Sequence, residues 1–596
     1  MSKTTTGSSG GRPTIMATRG VVSSGHYLAS EIGVEILRRG GNAADAAAAV
    51  GFALTVLKPH QNGIGGEVPI LVHSADEHKV WAISGNGVAP AEATIERFRG
   101  YGLDVIPGDG FLPAIVPPAV ASWICLLERF GTLRLAEVLT PAVELAEGGF
   151  VMYDALRGDI ARSVERFRSD WPTSAKVFLL DGGPPPAGRI WRNADWGRTL
   201  RGLIEAERKH KKRRDGLRAA HDAFYRGEIA KRIVEFARST SVRDASGKAH
   251  TGLLSVEDFA SYQAAVEEPV RTTFGGVEVF KCGPWTQGPA LLQSLNLLAN
   301  FDLAGMGHNS ADYIHTVVEC VKLAFADREF YYGDPKFVDV PLGRLLSAEY
   351  AAERSALVGP AASMELRPGG RPAITARSVL DVEADIARTG GGPAHRLSGG
   401  HQGDTTKLEV IDSAGNMVSA TPSGGWLPSS PVIPGLGFPL GTRGQMFSLV
   451  PGHPNCLAPG KRPRTSLTPS LATRAGRPFL AFGSPGGDCQ DQWALQFLLN
   501  VLVFGMSLQE AVEAPTFWTG HFPSSFYPRT CEPGSLSVEA RVPEKVRDEL
   551  ARRGHLLKPA ADWSGGNTLA ASIDPESGVL AAAASPRLEP AYAAGW

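Results

Sequence analysis

The stretch 363–404 constrains the fold more than any other part of the sequence. It carries Pro368-Gly369-Gly370, Gly390-Gly391-Gly392-Pro393 and Gly399-Gly400 among scattered charges, with few apolar residues. It reads as a long mobile loop. A loop of that length inside a compact protein is uncommon and usually functional or processed. Directly after it the texture switches. Leu408 to Asp412 reads as a strand, Ser413 to Asn416 as a turn, and Met417 to Ala420 as a second strand.

Upstream, Ser30 is placed to cap a helix carrying Ile32, Ile36 and Leu37, with Gly40-Gly41 as its stop. Asn42 can cap a second helix, Ala43 to Leu57, which is apolar nearly all round and therefore buried. Asn62 to Gly66 makes a tight turn before a strand at Val68 to Val72. Residues 110–160 look helical, as do Leu291 to Leu303, Ala311 to Asp327 and a stretch near Asp491–Phe504. Gly275-Gly276 splits residues 268–281 into a hairpin. The basic run at 208–214 reads as a solvated helix face or surface insertion, with a docking patch for an acidic partner as the minor alternative. The first 20 residues read as a flexible arm.

The balance of 60 basic against 61 acidic residues argues against a nucleic-acid partner. No uninterrupted apolar run reaches the roughly 18 residues of a membrane span, and the N-terminus has no apolar signal core. The six cysteines are scattered, without a CxxC pair or a disulfide framework, which fits a reducing cytoplasm.

Three features carry chemistry. Gly403-Asp404-Thr405-Thr406 sets hydroxyls between the loop and the first strand. Ser419 to Ser423 ends the returning strand, where hydroxyls can face Thr405. Gly483-Ser484-Pro485-Gly486-Gly487 follows the apolar run Phe479 to Phe482 and precedes a helix, so bare N–H groups there suit an oxyanion. Each signal alone is weak.

Together they resemble the gamma-glutamyltranspeptidase (glutathione hydrolase) family. Matching stretches are GVEILRRGGNAADAAAAVGFALTV, TVVECVKLAFADREFYYGDPKF, TTKLEVIDSAGNMVS, PGKRPRTSLTPSL, GSPGG and the closing SPRLEPAYAAGW. The resemblance implies an α+β fold, the four-layer αββα sandwich of the N-terminal nucleophile hydrolases. It also implies a precursor that cleaves itself between Asp404 and Thr405. The large subunit would be 21–404 beyond the arm at 1–20, with the pre-cleavage loop 363–404, and the small subunit 405–596.

In that reading Thr405 is nucleophile and, through its new α-amine, its own base. An α-amine of ordinary pKa, about 7.7–8.0, is partly neutral near pH 7. Gly486 and Gly487 hold the oxyanion. The family's second hydroxyl falls on Ser423, with Thr421 close by, and Thr465-Ser466 match hydroxyls that contact the substrate carboxylate.

The departures concern substrate. The family's carboxylate-clamping Arg falls on Asn86, which cannot form a bidentate cationic grip. An Asn becomes Gly425, and the acidic pair that holds the glutamyl amine falls on Gln445-Met446. Arg443 stands where the family has a neutral amide. It either binds an acidic or oxo-acid acyl end, or pairs with a nearby carboxylate and shapes a loop. His60, Gln61, Glu67, Asp488 and Gln490 read as packing or surface residues rather than pocket lining.

The expected activity is acyl transfer from a small amide, gamma-glutamyl or related, to water or an amine. Alternatives on the same machinery are a glutaryl or oxo-acid amide acylase and a C–C bond hydrolase. A non-catalytic scaffold is the alternative of a different class. No metal or organic cofactor is implied. The expected partners are the small-molecule substrate and the two subunits of one precursor, with a homo-oligomer of that heterodimer left open and no membrane.

Overall fold

The computed structural model describes residues 11–370, 374–375 and 405–596. Two seven-stranded antiparallel sheets form its centre. One runs in the order Ile15–Ala17, Leu580–Ala584, Leu569–Ile573, Arg477–Gly483, Ser470–Arg474, Val277–Lys281, Val270–Phe274. The other runs Tyr592–Gly595, Gly20–Ser24, Leu408–Asp412, Met417–Ala420, Ile70–Ser74, Lys79–Ile83, Val266–Glu267.

Strand alternation produces the layers, because successive side chains leave opposite faces of a sheet. Val21, Leu71, Ile411 and Met417 meet Phe280, Leu471, Ala481 and Ala571 in an apolar core between the sheets. Their neighbours Val22, Val72, Val410 and Val418 face outward onto the helices Ala43–Leu57, Ala119–Phe130 and Leu135–Gly148. On the far side Val279, Ala472, Leu480 and Phe482 pack against Pro289–Leu298, Ala311–Tyr331 and Gln490–Leu502. The order is helix, sheet, sheet, helix: the four-layer α+β sandwich. Both sheets draw strands from before and after residue 405, so a cut there would leave two chains sharing both sheets.

The helix Ala43–Leu57 is buried on all sides, and Asn42 caps it through Ala44 and Asp45, with Asp45 returning the bond. The turn at Gly275-Gly276 has positive φ at both glycines, 57° and 78°, the backbone a two-residue hairpin needs. Most of the basic run 208–214 is exposed between two helices. Among the described residues no helix is long and apolar enough to cross a membrane.

Three sequence expectations change. The N-terminal arm does not extend to residue 20, because Ile15–Ala17 pairs with Leu580–Ala584 as an edge strand. Ser30 lies inside the helix Tyr27–Arg38, whose cap is His26; the Ser30 hydroxyl bonds Ser24 and the carbonyl of Tyr592. The stretch 363–404 is not loop throughout, since Glu365–Leu366 pairs with Ile374–Thr375. The rest of that stretch after Gly370, Asp404 included, lies outside the described residues.

Two ion pairs are buried in the core, Lys407 with Glu409 between the sheets and Lys281 with Asp491 on the helix side of its sheet. Lys407 Nζ lies 2.6 Å from Glu409, and Lys281 Nζ 2.9 Å from Asp491. Lys407 also donates to Ser419 Oγ, which accepts from Ser470 N, while Lys281 donates to Ser470 Oγ. This polar seam ties one sheet to the other through the Ser470 N–H and Ser419 Oγ, starting two residues beyond Thr405. Burial pulls the lysine pKa down and pushes the glutamate's up.

Candidate active site

Thr405 opens the strand Leu408–Asp412, and the returning strand brings Ser423 opposite it in an isolated antiparallel bridge. Thr406 N donates to Pro422 O at 3.0 Å, which fixes the register. The two hydroxyls meet at 3.1 Å, both essentially inaccessible to solvent.

Ser423 is in turn clamped by the Gly-rich turn. Its N–H donates to Glu67 O and its carbonyl accepts from Glu67 N. Gly424 and Gly425 have positive φ, 71° and 57°. A Cβ on Gly425 would stand 2.7 Å from Gly66 N. The asparagine expected there by resemblance has no room, which accounts for that departure.

Arg443 closes the arrangement. Its Nε and Nη2 reach Glu67 at 3.0 and 2.9 Å, and Nη2 donates to Ser423 Oγ at 2.9 Å. The guanidinium lies 5.6 Å from the Trp426 ring and 5.9 Å from that of Phe526. Burial raises the Glu67 carboxyl pKa, and the Arg443 charge opposes that rise. Of the two roles open to Arg443 from sequence, the structure shows the carboxylate partner. Glu67, read as packing, is that partner. Its signal was a carboxylate set in a glycine turn too tight to leave it exposed.

The segment after Gly483 turns into the helix Gln490–Leu502. Gly486 has φ 131° and Gly487 φ 56°. A Cβ on Gly486 would stand 2.3 Å from the Trp493 ring, and one on Gly487 2.9 Å from that of Phe526. Neither N–H bonds another backbone carbonyl among the described residues. Gly483 lies against the Lys407 stem, where a Cβ would stand 2.4 Å from Cε, so the segment is seated on the strand that carries Thr405.

Thr421 is buried, but its hydroxyl makes no hydrogen bond among the described residues; Ser423 is the residue whose hydroxyl meets that of Thr405. Asn86 donates to Pro463 O at 2.5 Å and so lies over the stretch that leads into Thr465 and Ser466. Thr465 Oγ1 accepts from Leu467 N, and the Ser466 hydroxyl has no partner among the described residues. Gln445 is spent on structure: it donates to Gly108 O and Thr442 Oγ1 and accepts from Tyr527 N. Asp488 likewise pairs with Arg328 and accepts from Ser525.

His315, Glu319 and His555 form a buried group with metal-ligand spacing. The Glu319 oxygens are already held by Lys322 at 2.7 Å and Arg367 at 3.0 Å. His315 Nδ1 and His555 Nε2 bond each other at 2.9 Å. Two adjacent cations make this a structural cluster rather than a cation site.

A hydroxyl at a strand start, a second hydroxyl beside it and a glycine pair before a helix, on a four-layer sandwich, define an N-terminal nucleophile hydrolase. Residues 29–595 match the family model described as Gamma-glutamyltranspeptidase. The chain belongs to that family of self-processing hydrolases and transferases. It is 34% identical over 569 residues to the acylase ACY 1 proenzyme of Pseudomonas sp. (strain SE83), covering 94% of this chain and 90% of that one. It is 31% identical to the glutathione hydrolase-like YwrD proenzyme of Bacillus subtilis (strain 168), covering 96% and 98%. The solved structure of LmbA2991T421A superposes with a TM-score of 0.91 at 46% identity, over 98% of this chain and 99% of that one. Both of these sequence relatives are named as proenzymes.

Proposed function

We propose that the precursor cleaves between Asp404 and Thr405 and that Thr405 then carries acyl groups from small amides to water or an amine. The observation behind this reading is the 3.1 Å contact between the Thr405 and Ser423 hydroxyls at the head of a central strand.

In the precursor, Thr405 Oγ1 attacks the Asp404 carbonyl carbon and the peptide C–N bond breaks. The acyl group moves from nitrogen to oxygen, and the nitrogen takes the hydroxyl proton. Water then hydrolyses the ester, freeing the Asp404 α-carboxylate and restoring the Thr405 hydroxyl beside the α-amine that the shift released. In the mature enzyme that amine accepts the hydroxyl proton as Oγ1 attacks the substrate carbonyl. The Gly486 and Gly487 N–H groups receive the developing oxyanion. The amine leaving group takes up the proton, and water or an acceptor amine releases the acyl group.

Ser423 orients the nucleophile, and Arg443 holds Ser423. The acyl end faces Asn86, Thr465 and Ser466, with Thr421 beside Ser423. Asn86 in place of an Arg clamp, together with a relative named acylase, favours an acyl amide other than gamma-glutamyl. Mass spectrometry of the small subunit after incubation with candidate amides tests this reading: an adduct on Thr405 supports it, and turnover without an adduct at that residue removes it.

A further inference from the structure

The acyl end of the same site carries a more specific message about substrate, which rests on the reading just given. Asn86 is 1% exposed, and its two side-chain atoms are distinguishable by their partners. The Pro463 carbonyl can only accept, so the atom facing it at 2.5 Å is the amide nitrogen. The oxygen Oδ1 is therefore the other atom, and it has no hydrogen-bond partner among the described residues.

A fixed, buried acceptor repels a carboxylate, which offers only acceptors. It calls for an N–H or O–H, and leaving it unmet carries the desolvation cost of a buried polar atom. Three residues past Pro463 the Ser466 hydroxyl is also buried and without a partner among the described residues, and Thr465, whose oxygen accepts from Leu467 N, has its own hydrogen to donate. Arg443, Arg462 and Arg464 are each ion-paired, with Glu67, with Glu267 and Asp334, and with a Glu329 that Arg529 shares.

Asn86 also belongs to the neighbourhood of the nucleophile. Gly85 O accepts from Val68 N, one residue from the Glu67 that bridges to Ser423. Cβ atoms on Gly87 and Gly444, the neighbours of Asn86 and Arg443, would both meet the side chain of Ile115, at 3.0 and 3.4 Å.

We propose that the acyl group ends in an uncharged carboxamide, whose N–H meets Asn86 Oδ1 and whose carbonyl takes a hydroxyl hydrogen from Ser466 or Thr465. The pocket thus selects against the free α-carboxylate of a glutamyl group.

The test compares two γ-p-nitroanilides on the processed enzyme, one of glutamic acid and one of its α-carboxamide. We expect kcat/KM to favour the carboxamide by about tenfold or more. Asn86→Ala should bring that ratio close to one. The wild-type ratio decides the matter by itself if the variant does not fold. Equal or better use of the carboxylate, with an adduct on Thr405, overturns the carboxamide assignment and leaves the acyl-transfer reading standing. Failure of the carboxamide probe to release nitroaniline or to label Thr405 in cleaved enzyme overturns the carboxamide assignment, while the acyl-transfer reading falls only if other amides turn over without an adduct on Thr405.

Discussion

Arg443 donates from Nη2 to Ser423 Oγ at 2.9 Å, and a guanidinium cannot accept, so the direction of that bond is fixed. One lone pair of Ser423 is thereby occupied, and a full positive charge stands one hydroxyl away from Thr405. The buried Glu67 carboxylate holds the guanidinium in that pose. Charge, hydroxyl and nucleophile form a line within residues 405–443, anchored by a carboxylate 376 residues away from the arginine.

Breaking that line has a stability cost and a catalytic cost that can be separated. Arg443→Met leaves Glu67 buried and uncompensated, an expected loss of about 3–5 kcal/mol. The double variant Glu67→Met with Arg443→Met should regain most of that loss in urea denaturation. Its kcat should stay low, because Ser423 still lacks its donor. Recovery of kcat in the double variant would show that Arg443 acts on stability alone.

Ser423→Ala should retain the fold and lose about 100-fold in kcat, the usual scale of a group that assists proton transfer. Processing should slow in parallel, since both reactions use the same hydroxyl contact. Gel analysis over time, alongside steady-state kinetics, checks both effects.

Gly487→Ala should lower kcat by about 100- to 1000-fold, the scale for one oxyanion donor. The positive φ of 56° and the Phe526 ring 2.9 Å away would turn the backbone N–H from its place. KM should move far less, because the oxyanion exists only in the transition state. A loss confined to KM would argue against the oxyanion role.

Several parts of this arrangement were legible in the sequence. The hairpin 408–420 followed from two alternating runs around Gly415, and the buried helix 43–57 from its alanines and the Asn42 cap. What stayed hidden was non-local. Glu67 and Arg443 are 376 residues apart, and no local pattern pairs them. The edge strand Ile15–Ala17 is three residues long and exists only because Leu580–Ala584 lies beside it. Ser30 resembled a cap by type, but Ser24 and Tyr592 offered its hydroxyl better partners.

The fold should be sensitive to acid. Burial holds His26, His521 and His555 down to about 3, far below the ordinary histidine value. The unfolded chain binds protons at these residues from about pH 6.5 downward, whereas the folded chain does not. Stability present above about 6.5 is therefore lost as pH falls toward 3. Urea midpoints at pH 7 and pH 5 should differ clearly, with the lower value at pH 5. Equal midpoints would mean that these imidazoles are not held neutral.

The most direct measurement of the central claim is N-terminal sequencing of both chains in active, purified protein. The account predicts a second start reading Thr405-Thr406-Lys407-Leu408 and, in Thr405→Ala, one uncut chain of 63.2 kDa without activity. Active enzyme that shows only the original N-terminus, or a second start at any other residue, would contradict it.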